Sequence, residues 1–563
     1  MGTSAQRMNF LRRRSEREES MNTNKQRPFL FFVLVSLFYL PVLSVLSRAF
    51  LRKNALTEIL SFLGSDLFIK VLTFTTKQAL LSALFSLFLA LPGAYFFGRY
   101  HFPGKRLLRS IMVLPFMLPG ILAVLSMVVF YGRNGAFNQL LSQLFPGKKL
   151  AFSGLYGFKG IVLTHVFYNF SFCLRMLGER WERLSPKLEE ASITLGAGKL
   201  ETWWRVTFPL LLPTIGYLFT LVFLYSFLSF TVVLVLGGYL YQTFEVLIYI
   251  EYNHKLNFDR ASLLATCQLL LLAGVLSLQS WTGRIAQRQT GVASPLPTLK
   301  LKKQPQAVLF FLLYLALALI FFILPVLLVL IRSFKSRGLP TGAWTINNYR
   351  LLLGEGFRFA AGKRLVTVLL TSVTLSGTVA LITLVLAYLL ARKRRRLRWD
   401  TFDLWLQLPM GISFLTFSFG LMNLTGRFLP SSVLVLWAQI FLAFPLVYSI
   451  LRTARREMGE ELLEAAGLLG ASGYELFMTV ELPLMRKALG SAFAYGIALS
   501  LGDLAAVLTL GQGKLVTLSV AVYRLIGHYH FPLATALGTV FILLSVLLFS
   551  LIEGGNCYLK ELP

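Results

Sequence analysis

The chain has 563 residues, 56% of them hydrophobic and only 14% charged, with a mean hydropathy of +0.67. No soluble core can hide that much apolar surface, so the composition excludes a soluble protein and points to an integral membrane one. The net charge of +30 does not imply nucleic acid, because the basic residues gather at the ends of apolar runs, as positive-inside loops do.

Residues 1–28 are polar and carry Arg7, Arg12, Arg13, Arg14, Arg17, Lys25 and Arg27, which reads as a basic cytoplasmic tail. The apolar run from Phe29 is too long for a signal peptide and has no convincing small-residue cleavage site, so it predicts an uncleaved first span. Further spans are predicted at about 72–98, 107–131, 155–177, 209–237 and 260–281. A polar linker at 282–306 holds Gly291, Pro295 and Pro297 and five basic residues. The second half predicts spans at about 307–331, 364–391, 403–424, 431–452, 486–511 and 532–553, and a short tail at 556–563. Runs of this length span as helices rather than as a barrel. The expectation is an all-α integral membrane protein of about twelve spans.

Crossing every span once puts the N-terminal tail, the Arg99–Arg109 loop, the linker and the run Arg392–Arg398 on one side, the cytoplasmic side by the positive-inside rule, with both termini there. One loop dissents: 332–363 holds Arg332, Lys335, Arg337, Arg350, Arg358 and Lys363 yet falls outside. Three scattered cysteines, Cys173, Cys267 and Cys557, offer no disulfide framework and no metal spacing.

One polar stretch is written twice. Residues 190–213 read EASITLGAGKLETWWRVTFPLLLP and residues 464–487 read EAAGLLGASGYELFMTVELPLMRK. Glu190 with Glu464, Gly196 with Gly470 and Pro209 with Pro483 share an offset of 274, which then runs through Gly237 with Gly511, Thr243 with Thr517 and Leu263 with Leu537. Matching at one offset over so long a stretch is an internal duplication. The chain is thus two parallel six-helix repeats, 29–281 and 307–555, with both copies of the stretch on the cytoplasmic side. Each copy predicts two short helices with a turn at the glycine and a new helix at the proline, over 187–208 and 461–482. Such an elbow, with Trp203, Trp204 and Phe208 or Tyr474, Phe477 and Met478 on it, suits a partner's cleft. The alternative is an amphipathic helix on the lipid surface, which the duplication disfavours.

No phosphate-binding G-x-x-x-x-G-K-[ST] sequence occurs, and Gly511-Gln-Gly-Lys514 has the wrong spacing, so the chain is expected not to hydrolyse ATP. Asp503 is a lone carboxylate in an apolar run, to be read either as lining a path or as a packing residue bonded to backbone or to Ser500. Its counterpart is Ser229. His165, Tyr168 and Asn169 read as interhelical hydrogen-bond groups or as path residues. His254 and His528 lack the carboxylate partners a metal site needs. Glu245 and Glu251 are expected as surface ion pairs, or as contacts for a delivering protein.

Glu190, Ala191, Gly196 and Pro209 in one copy, and Glu464, Ala465, Ala466, Gly470 and Pro483 in the other, resemble the EAA loop of binding-protein-dependent ABC importer permeases; Ser192 departs from it. The resemblance implies a type I importer fold in which the loops dock on a separate cytoplasmic ATPase dimer that binds the ATP. It further implies a periplasmic binding protein that delivers a small solute, and location in the bacterial inner membrane. No cofactor, metal or catalytic residue is implied in this chain. Two copies in one chain resemble the fused permeases for thiamine or ferric iron, and YGRNG at 131–135 and SLGD at 500–503 are most similar to the thiamine type. The path residues implied are Asp503, Ser229, Tyr168 and Asn169. The rivals are the ferric-iron type and an ion-coupled secondary transporter.

Overall fold

The apolar runs become helices because a spanning segment must satisfy its own backbone hydrogen bonds. A computed structural model describes residues 32–51, 55–146, 151–288, 299–300, 305–336, 343–391, 405–406, 408–426, 428–458, 460–471 and 473–557. The N-terminal tail, most of the linker's middle, the run Arg392–Arg398 and the last C-terminal residues lie outside these. Among the described residues ten helices are long and apolar enough to cross a membrane, from Phe32–Phe50 to Phe531–Leu548, with shorter apolar helices at Phe414–Thr425 and Leu518–Gly527. The single sheet pairing among the described residues is a parallel ladder of two residues each, Tyr100–His101 with Leu299–Lys300.

Several expected single spans are instead broken. The run 107–131 divides into Lys105–Met117 and Gly120–Tyr131. Leu118 between them has φ −74° and ψ 138°, the extended conformation that the ring of Pro119 favours at the preceding residue. The runs 209–237 and 486–511 break after Phe227 and after Gly502, resuming at Thr231–Leu236 and Ala505–Leu510. No proline marks either break, so hydropathy alone does not reveal them.

The described residues fall into two compact units that cut across the sequence repeats: one takes those within 1–47, 370–515 and 547–563, the other those within 48–369 and 516–546. In the first unit, Phe38 of the N-terminal helix sits edge-on against Phe441 and Phe444, at 5.4 and 5.2 Å between centroids. Gly420 lets that helix close in, since a Cβ there would come within 2.0 Å of the Pro41 carbonyl. In the second unit, Asp66–Arg99 packs along Phe158–Glu182 through small residues: a Cβ on Gly98 would come within 2.5 Å of Trp181, and one on Gly178 within 3.9 Å of Ala94. Phe170 stacks on Phe322 at 3.8 Å, bringing the helix Pro305–Ser333 into that unit. Lipid is as apolar as leucine, so close approach through small residues and ring packing, rather than water exclusion, holds such helices together.

Candidate functional site

The repeated stretch folds the same way twice. Ser185 leads into a helix whose first residue is proline, Pro186–Thr194; its counterpart is Glu460–Leu468. Gly196 and Gly470 both stand at φ +92°, a conformation that a Cβ disfavours. Around each, two backbone bonds close the helix end: Ala197 N–H to Ser192 and Gly196 N–H to Ile193 in one, Ala471 N–H to Ala466 and Gly470 N–H to Gly467 in the other. That pair of bonds is the Schellman arrangement, which turns the chain sharply out of the helix.

Each elbow then runs on without a gap into a long helix. After the short helices Lys199–Thr202 and Gly473–Leu476, one π turn follows, at Trp203–Thr207 and at Phe477–Glu481. Phe208 N–H donates to the Trp203 carbonyl and Leu482 N–H to that of Phe477. The extra residue widens the helix just before Pro209 and Pro483, where a proline ring would press on the carbonyl four residues back. An elbow displaced at its tip therefore carries its long helix, Phe208–Phe227 or Leu482–Gly502, along with it.

Side chains at matched positions project to matched degrees. Leu195 and Leu469 are 88% and 90% exposed, Leu200 and Tyr474 73% and 72%, Leu188 and Leu462 50% and 49%. Glu190 and Ala191 are also exposed, as are Ala465 and the two prolines. Large apolar groups offered to solvent from a fixed turn, twice, make a docking surface of the kind a cleft would fill.

The anchors beneath the elbows differ. Under the first, Glu189 pairs with Arg99 and accepts the Thr207 hydroxyl at 2.6 Å; Lys105 and Arg109 reach Glu182 at 3.1 and 3.0 Å. Under the second, fully buried Glu481 pairs with Arg455 at 3.2 Å and accepts the Tyr388 hydroxyl.

The two helix breaks form a second matched constellation, one in each unit. Gln439 Nε2 donates to Asp503 Oδ2 at 2.9 Å, and the Ser500 hydroxyl donates to Gln439 Oε1 at 2.6 Å. Asp503 Oδ1 also accepts the Ala506 N–H at 3.2 Å, capping the helix after the break. The positions 274 earlier hold His165, Ser229 and Ser226. His165 Nε2 lies 2.8 Å from Ser229 Oγ, and its Nδ1 3.3 Å from Ser82 Oγ. Asn169 donates to the His165 carbonyl at 2.9 Å and approaches Ser226 Oγ at 3.4 Å, while Tyr168 packs on Phe116. Asn169 and Ser229 are thus brought together through His165, and Asp503 occupies the equivalent break of the other unit. The equivalence of Gln439 and His165 escaped the sequence reading; a polar residue in an apolar run at the common offset was the available signal. Gln439→Leu removes the side-chain donor from a buried carboxylate, so thermal unfolding of the purified protein should show a loss of roughly 1–3 kcal/mol. An unchanged unfolding curve would mean the latch contributes nothing.

Glu245 and Glu251 differ from expectation. Both are buried, at 2% and 1% exposure, because their helices turn them inward: Gln268 donates to Glu245 at 2.7 Å and Lys255 pairs with Glu251 at 2.8 Å. Neither can meet a delivering protein. His254 lies against the Tyr249 ring, and the described residues contain no group of three His, Cys, Asp or Glu that could hold a metal.

The profile of the family described as "Binding-protein-dependent transport system inner membrane component" matches residues 90–335 and 383–554. Over 504 residues the chain is 27% identical to the thiamine transport system permease protein ThiP of Brucella abortus (strain 2308), covering 87% of this chain and 88% of that one. It is 28% identical over 505 residues to the Haemophilus influenzae protein of the same name, covering 86% and 88%. A probable sulfate transport system permease protein, cysT, of Helicosporidium sp. is 32% identical over 206 residues, 36% of this chain and 74% of that one.

Proposed function

We infer that this chain, which belongs to the family of binding-protein-dependent transport system inner membrane components, is the permease subunit of an ATP-driven importer that carries thiamine or its phosphates. The observation that carries the reading is the pair of elbows, alike in turn geometry and in the exposure of Leu195 and Leu469. A separate cytoplasmic ATPase dimer offers two equivalent clefts, and two equivalent elbows fit it. Glu190, Ala191, Gly196 and Pro209, with Glu464, Ala465, Gly470 and Pro483, form or shape that contact. The ATPase binds the nucleotide, and its closing motion reaches the bundle as a rigid-body displacement of each elbow with the helix it continues into.

On this reading the elbows and both termini are cytoplasmic, and a periplasmic binding protein delivers the solute to the opposite face of the inner membrane. The domain limits remain those of the repeats, with coupling segments at 187–208 and 461–482. The path runs past the helix breaks, with Asp503, Ser229, Tyr168 and Asn169 beside it; a buried carboxylate suits a cationic solute such as thiamine. Support for thiamine over ferric iron comes from relatives named for thiamine transport along most of the chain.

The test is uptake into proteoliposomes holding this chain with its ATPase and a thiamine-binding protein. Labelled thiamine should accumulate only with ATP inside and binding protein outside. Uptake of ferric iron but not thiamine would replace the substrate. Uptake driven by an ion gradient without the ATPase would replace the mechanism.

A further inference from the structure

We propose that residues 333–336 and 343–364, at the end of their unit remote from the first elbow, form an interfacial foot that rests on anionic phospholipid headgroups. The helix leading to them, Pro305–Ser333, begins beside the strand Leu299–Lys300, whose partner strand adjoins Arg99 under the elbow. Its 29 residues, at about 1.5 Å each, carry the chain across to the other face of the bilayer.

Beyond Ser333 the chain folds back at once. Asn348 donates to the carbonyls of Ser333 and Lys335 at 2.8 and 2.9 Å, and the Ser333 hydroxyl meets that of Tyr349 at 2.7 Å. Two short helices follow, Asn347–Leu352 and Glu355–Ala361. The second is pinned by Arg524, which donates to the Ala361 carbonyl at 2.8 Å, and by buried Phe357. The next spanning helix starts at Leu365. A segment tied down between two spans is held at the level where lipid meets water.

Its outward chemistry is that of an interfacial element. Phe359 is 90% exposed, with Leu353, Trp344 and Ile346 also well exposed. Among them stand five cations, Lys335, Arg350, Arg358, Lys363 and Arg364, and one carboxylate, Glu355. Glu355 engages Arg358 at 3.0 Å and Arg364 at 4.0 Å, and the Lys335 ammonium lies 4.1 Å from the centroid of the Trp344 ring. Arg350 and Lys363 are exposed. Aromatic and aliphatic groups interleaved with cations bind an anionic headgroup layer, the rings entering it and the cations meeting its phosphates. The short helix early in the chain, Ala55–Leu63, carries Glu58 and no cation, whereas here Arg350 and Arg358 stand on the short helices themselves. The foot also explains why this loop carries positive charge against the positive-inside rule: its cations are held by lipid. The choice of outer leaflet rests on the proposed orientation; the headgroup contact does not.

The test is hydrogen exchange of the full chain in nanodiscs of phosphatidylcholine with and without phosphatidylglycerol. Amides within 343–364 should exchange about tenfold more slowly with the anionic lipid, and high salt should remove most of that difference. The triple variant Lys335→Gln, Arg350→Gln, Lys363→Gln should lose the lipid dependence while the spanning helices keep their protection. The charge-keeping pair Arg350→Lys, Lys363→Arg should retain it. Equal exchange in both lipids overturns the proposal. So does protection that appears only on adding the binding protein, which would make the foot a protein-docking surface. No transport is needed for this readout, so its failure is distinct from failure of the importer reading.

Discussion

Replacing both Gly196 and Gly470 by valine should cut ATP-driven uptake by roughly a hundredfold, about tenfold for each elbow, while the chain stays folded in the membrane. Both glycines hold φ at +92°, a region that costs an L-residue roughly 1–2 kcal/mol, and a β-branched one most. A Cβ at either position would meet nothing within 4 Å. The penalty is therefore one of backbone conformation, met by loosening the turn rather than by disturbing the core. Asparagine tolerates the left-handed region better, so Gly196→Asn with Gly470→Asn should keep much of the uptake. Co-purification of the ATPase should follow the same order: native, asparagine pair, valine pair. Full uptake by the valine pair would show that the turn geometry is not used in coupling.

The elbows retain shape more strictly than chemistry. Leu200 faces outward where Tyr474 does in the other copy, and Trp204 where Met478 does. Trp203, Trp204 and Phe208 form a ring cluster with centroids 4.8 to 5.3 Å apart, whereas in the second copy Phe477 turns inward to the Tyr388 ring. What is common is the turn, the π widening before the proline and the outward leucine just before the glycine. A partner with two like clefts needs those features in register and tolerates different side chains around them.

How much of this was readable from residues alone follows from which forces act locally. A glycine at the end of a helix and a proline at the start of another are instructions carried by single residues, so both elbows and their positive φ were legible. Spanning helices were legible for the same reason, since apolar length in a bilayer leaves no other backbone state. The break at Leu118 was written by Pro119, although hydropathy masked it. The breaks after Phe227 and Gly502 have no such marker and depend on partners more than 60 residues away in the chain, His165 with Ser229 and Gln439 with Asp503. Burial of Glu245 depends on Gln268 of another helix, which no local pattern announces. Nor does hydropathy say that Phe38 packs with Phe441 while Phe322 packs with Phe170: apolar faces are interchangeable until shapes are fitted.

Glu481→Ala should be the most destabilising single change at either elbow. Glu481 is fully buried and Arg455 13% exposed, 3.2 Å apart. Deleting the carboxylate strands a buried guanidinium and removes the acceptor for Tyr388, a loss of roughly 3–5 kcal/mol for a broken buried pair. The counterpart at the first elbow predicts the contrast. Glu189 keeps 26% of its side chain exposed although Arg99 keeps only 11%, so solvent takes over part of its role, and Glu189→Ala should cost about 1–3 kcal/mol, less than Glu481→Ala. Thermal unfolding of the purified complex measures both. The double change Glu481→Leu, Arg455→Met should recover most of the stability, because an apolar pair of similar volume replaces a buried ion pair at little net cost. It should not recover uptake in full. The pair joins Ser431–Glu457 to the π turn that leads into Leu482–Gly502, and a directional, charged tie between them transmits a push that two sliding apolar side chains do not. A double variant that is both stable and fully active would mean that Glu481 holds the elbow up without helping it to move the bundle.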